Sequence, residues 1–98
     1  MGGDETKFDW DDANRNHLAQ HDVSPEEVQK AVLDPHAMFP DEDIEVIGGE
    51  VRTPTVGMTA SGKVLLIVFA VRGEAIRPIT ARAAPAHVEA RHLKRRGL

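Results

Sequence analysis

Residues 64–71 read VLLIVFAV, eight apolar side chains in succession. A half-exposed strand alternates apolar and polar residues, so an unbroken run of this kind belongs to a strand covered on both faces. It is too short to cross a bilayer, which takes about 20 residues as a helix. In a chain of 98 residues, one such strand dictates a layered domain. The central strand at 63–71 needs neighbours on both edges and helices above and below.

The surrounding sequence supplies them. Glu50–Met58 reads as a second strand, with Pro54 implying an edge position or a bulge. The turn Thr59-Ala60-Ser61-Gly62 leads into the central strand, and Arg72-Gly73-Glu74 leads out of it to a third strand over residues 75–82. Pro85 opens a last helix running to about Arg96, with Ala86, Ala90 and Leu93 at helical spacing and Gly97 as its stop.

Upstream, Ser24-Pro25-Glu26-Glu27 is a helix start. Ser24 caps, Pro25 takes the first helical position, and Glu27 closes a capping box. Val23 and Val28 occupy the two staple positions, Val28, Ala31 and Val32 make the buried stripe, and Asp34-Pro35 ends the helix. Asp11 or Asp12 caps an earlier helix reaching about His21, with Ala13, His17 and Leu18 on one face. Phe8 and Trp10 flank Asp9 as a short strand or anchoring segment. A strand near residues 37–39, an acidic turn at Asp41-Glu42-Asp43 and a strand at 44–47 before Gly48-Gly49 complete the reading.

The predicted fold is therefore α+β, with N-terminal helices and a C-terminal helix packed on a small antiparallel sheet. Residues 1–7 are expected to be a disordered start and residues 8–96 a single domain. Aromatics are 4% of the chain, so Val, Ile, Leu and Ala must fill the core. With no cysteine, disulfides and thiolate metal sites are excluded, and the composition suits the cytoplasm. No signal peptide, membrane segment, glycine-rich phosphate loop or Ser/His/Asp arrangement is legible.

The net charge of −4 conceals a division. Residues 1–50 hold three basic side chains against fourteen acidic ones, and residues 51–98 hold nine against two. The second half can attract an anion, RNA foremost, despite the acidic total. Otherwise the two halves neutralise each other across the fold.

Arg72, Arg77 and Arg82 lie on or beside the last two strands. Guanidinium groups on one sheet face would grip phosphate and stabilise the charge of a phosphoryl transition state. Arg77 and Arg82 have opposite parity, so a regular strand separates them, and a bulge at Pro78 would change that. Alternatively, each arginine pairs with a carboxylate of the first half. Glu50 and Arg52 share parity, as a general base held ionised or as a surface ion pair. His17 and His21 share a helix face but lack the glutamate of H-E-x-x-H, so no metal or other cofactor is expected. Lys94, Arg95 and Arg96 make a basic helix end that suits the helix dipole or a phosphate contact, and Arg91 lies one turn before them.

These segments together resemble the BrnT-type toxins. FDWDDANRNHLAQHDVSPEEVQKAVLDP is similar to that family's opening, Gly49-Glu50-Val51-Arg52 to its Glu/Arg strand, residues 59–72 to its turn and apolar strand, and residues 76–82 to its Ile-Arg-x-Ile-Ser-x-Arg segment. The likeness covers about residues 8–93, and departs from the family's Lys-His-Gly run at Gln20-His21-Asp22. It implies a RelE-like fold and a metal-independent endoribonuclease toxin neutralised by a cognate antitoxin, alone or in homodimers or toxin–antitoxin hetero-oligomers. It implies a site of Arg52, Arg72, Arg77 and Arg82 with Glu50 and His21 in support, and Arg91, Lys94 and Arg95 as RNA contacts. The alternative is a non-catalytic module that binds nucleic acid or antitoxin with the same sheet.

Overall fold

The computed structural model describes residues 6–40 and 44–97. The acidic turn at 41–43 and the first five positions of the expected disordered start lie outside the described residues. Lys7 is already part of the first strand. The order is β1 (Lys7–Phe8), α1 (Asp12–Ala19), α2 (Pro25–Val32), β2 (Glu45–Ile47), β3 (Glu50–Met58), β4 (Val64–Arg72), β5 (Ala75–Ala83) and α3 (Ala86–Arg95). The architecture is α+β, with helices before and after a five-stranded sheet ordered β1-β5-β4-β3-β2.

The apolar run is the central strand, with β5 and β3 antiparallel on either side. The sheet is mixed rather than purely antiparallel, because β1 pairs parallel to β5 through Lys7–Ala75 and Phe8–Ile76. One face of β4 is the core. Leu65 and Ile67 meet Leu18 of α1, then Val23, Val28, Ala31 and Val32 around α2, and Ala81 of β5. Gly57 shows how closely α2 lies on the sheet. A Cβ there would stand 1.9 Å from the Ala31 carbonyl oxygen, so any side chain would push the helix away.

Local chemistry sets the ends of the elements. Ser24 accepts from the Glu27 N–H and Glu27 accepts in return from the Ser24 N–H, closing the expected box. Asp11 and Asn14 form a second such box on α1. That helix stops at Ala19, short of His21, and its buried side chains are Asn14 and Leu18 rather than Ala13 and His17. Gly48 and Gly49, both at positive φ, make the two-residue turn between β2 and β3 that only glycine adopts freely. The strand expected at 37–39 is one bridge, Met38 to Val56. Pro54 lies on the edge between β2 and that bridge, where no ladder partner asks for an N–H.

The other face of the sheet is covered only in part. α3 folds back over the end near Val56 and Leu66. Its inward side is led by His92, fully buried, while Ala86 and Ala90 face out, so the expected alanine stripe is not the packing face. Asp34 at the end of α2 anchors this helix. Its Oδ2 accepts from Arg96 Nη1 at 2.6 Å and lies 3.3 Å from His92 Nε2. Burial alone would raise the Asp34 pKa, but the N–H groups of His36 and Met58 and the Arg96 charge outweigh it and hold the pKa below its ordinary value.

Candidate nucleic-acid interface

The uncovered end of that second face carries the arginines. β5 is irregular. Thr80 pairs with Val68 and Pro78 with Phe69, leaving Ile79 as an extra residue. A bulge of this kind reverses the alternation of side chains along the strand. Arg77 then lies opposite Ala70 and Arg82 opposite Leu66, positions of equal parity on β4, so the two arginines share a face. Arg72 follows Ala70 on the same side. The β3 register places Glu50 and Arg52 there too, in line with Pro54 opposite Val68 and Val56 opposite Leu66.

Glu50 organises one end of this face. It accepts from Arg72 Nε at 2.9 Å and lies 3.8 Å from Arg52 Nε. The hydrogen bond from Arg72 is the main reason its pKa falls below the ordinary value, with further help from the charges of Arg52 and Arg77. Arg77, its side chain 12% exposed, approaches Asp11 at 2.9 Å and Asp9 at 3.6 Å. Asp11 therefore has two partners, the Asn14 N–H and the Arg77 guanidinium, and both lower its pKa. The Nε–H groups of Arg52 and Arg77 are buried without hydrogen-bond partners. Buried donors of this kind are rare.

Arg82 stands apart. It is exposed and makes no salt bridge or side-chain hydrogen bond among the described residues. Its Cα lies roughly 13 Å from that of Arg77, at about 3.3 Å per residue of the partner strand. Three of the four arginines, Arg52, Arg72 and Arg77, are thus held by carboxylates as well as facing the same way, and Arg82 lies farther along the sheet.

The histidines lie along β5 at Thr80 rather than at Glu50. His17 Nε2 is 3.0 Å from Thr80 Oγ1, and the His21 ring lies 5.4 Å from the His17 ring. The sequence puts His17 and His21 on one helix face but gives no sign that Asp9 and Asp11 meet Arg77, because nothing local says that α1 lies along β5. Among the described residues, no three His, Asp or Glu side chains gather as a metal-binding group.

On α3, Arg91 and Arg95 line a groove of about 700 Å³ against segment 37–40. Arg95 Nε donates to the His36 carbonyl at 3.0 Å, Lys94 faces outward, and Arg96 belongs to the Asp34 anchor. No described helix is long and apolar enough to cross a membrane.

Residues 10–87 match the family model described as "Ribonuclease toxin, BrnT, of type II toxin-antitoxin system". No curated protein matches the chain. The matched span contains every member of the arginine face and stops as α3 begins.

Proposed function

The chain belongs to the BrnT family of ribonuclease toxins of type II toxin–antitoxin systems, and from that premise we propose that it cleaves RNA in the cytoplasm without a metal ion, using the arginine face of the sheet. Membership implies a cognate antitoxin as partner. The observation that carries the reading is the step at Ile79, which puts Arg77 and Arg82 on the side already occupied by Glu50, Arg52 and Arg72.

The chemistry is an internal phosphoryl transfer. The RNA 2′-hydroxyl oxygen attacks the adjacent phosphorus as its proton passes to a base. The bond to the 5′-oxygen breaks, and that oxygen takes a proton. The products are a 2′,3′-cyclic phosphate and a 5′-hydroxyl. Glu50, kept ionised by Arg72, serves as the base. Arg52 and Arg77 face the phosphate, and their guanidinium charges suit the charge that grows on its oxygens. Arg82, two residues along β5 from the Thr80 that meets His17, holds a neighbouring phosphate of the same strand, and the departing 5′-oxygen takes its proton from water.

A second reading has its own support. Because Arg52, Arg72 and Arg77 each meet a carboxylate, the face also suits a non-catalytic module that binds nucleic acid or antitoxin and never cuts. Exposed Arg82 separates the two. On the nuclease reading, Arg82→Ala and Arg52→Ala keep the fold by circular dichroism yet lose cleavage by about 100-fold or more. Undiminished cleavage in both variants would remove the site. Salt-sensitive binding with no new RNA ends would leave the binding module.

A further inference from the structure

The groove between α3 and segment 37–40 lies outside the arginine cluster, yet it is continuous with it. Its floor includes Leu66, which pairs across the ladder with Arg82. Its wall on α3 carries Val88, Arg91 and Arg95, and among the described residues no carboxylate lines it. The opposite lip is Phe39. The chain has three phenylalanines and one tryptophan. Phe8 and Trp10 stack on each other against the core, and Phe69 is buried. Phe39 is 53% exposed, the one aromatic ring that the core does not use.

An apolar floor, an exposed ring and cations that pair with no carboxylate among the described residues are what an unstacked nucleobase and its flanking phosphates require. A volume of about 700 Å³ has room for a base with its sugar. We propose that this groove is a base-binding subsite for single-stranded RNA, in which a nucleobase stacks on Phe39 over Leu66 while Arg91 and Arg95 hold the adjoining phosphates. The proposal rests on RNA being the ligand of the arginine face. It makes the groove the place where the strand continues beyond Arg82. Arg95 is already fixed by its bond to the His36 carbonyl, so its remaining nitrogens stand ready at the groove without further ordering.

The test uses the full chain and a short single-stranded oligonucleotide with 2′-fluoro sugars, which lacks the attacking hydroxyl, carrying one 5-iodouracil. After irradiation, peptide mapping by mass spectrometry should locate the crosslink in segment 37–40. Phe39→Ala, a surface change, should abolish that crosslink and weaken binding about tenfold. Arg82→Ala should weaken binding while the crosslink stays in place. A crosslink confined to other segments, or unchanged affinity in Phe39→Ala, would overturn the proposal. So would a Phe39→Ala protein that binds RNA normally but has lost affinity for its antitoxin, since the groove would then be the antitoxin's. Because the readout is binding, the subsite and the nuclease reading fail separately. A crosslink in the groove with no cleavage of ordinary RNA removes only the nuclease, and cleavage with no crosslink there removes only the subsite.

Discussion

Asn14 donates from its side-chain amide to the Pro78 carbonyl across 3.0 Å, tying α1 to the residue just before the irregular step in β5. The same amide donates to the Asp9 carbonyl at 2.9 Å, and its oxygen accepts from the Asp11 N–H. One buried side chain therefore secures the strand that carries Arg77 and the two aspartates that face it.

Removing that clamp should loosen both. Asn14→Ala leaves the buried Pro78 carbonyl without its donor and opens the α1 cap, at a cost of about 2–3 kcal/mol. Urea denaturation measures this as a lower midpoint with an unchanged slope. A midpoint equal to wild type would mean that the bulge holds itself.

The α3 anchor should give the fold a pH dependence of its own. His92 is fully buried, and that burial pushes its pKa below the ordinary 6.5. Asp34 opposes the shift, while Arg96, His36 and Arg95 reinforce it. Between the lowered native value and 6.5 the unfolded chain binds more protons than the folded one. The stability contributed here is complete above about pH 6.5 and drains away as pH falls through that window. Melting temperatures from pH 8 to 5 should decline in wild type and be flatter in His92→Leu. Parallel curves for the two proteins would refute the assignment.

Much of the frame was legible because its causes are local. The capping box at Ser24 and Glu27, the glycine pair at 48–49 and the apolar run of β4 each declare themselves within a few residues. The site was legible only in its membership. Counting parity along β5 separates Arg77 from Arg82, and Pro78 merely hints that the count fails. What restores them to one face is Ile79, left without a partner on β4, and that depends on pairing rather than on sequence. The partners of Arg77 are hidden for a related reason: Asp9 and Asp11 are more than sixty positions away along the chain. Nothing local in the sequence marks His92 as buried, and its partner Asp34 arrives from the end of α2, 58 positions earlier.

Glu50 offers a chemical test. Its carboxylate is ionised above its ordinary value of 4.5, and the Arg72 hydrogen bond extends that range downward. As the base, it predicts cleavage that falls on the acid side only below about pH 4.5. Glu50→Gln should lower kcat by about 100- to 10,000-fold with little change in KM. Normal turnover in that variant would pass the role to the histidines beside Thr80.

The central claim is that arginines on one sheet face cleave RNA by internal transfer. Purified protein incubated with single-stranded RNA in EDTA, followed by analysis of the new ends, tests it most directly. The expected products are 2′,3′-cyclic phosphate and 5′-hydroxyl ends that appear with wild type and not with Arg82→Ala. Intact RNA, or 5′-phosphate and 3′-hydroxyl ends, would contradict it.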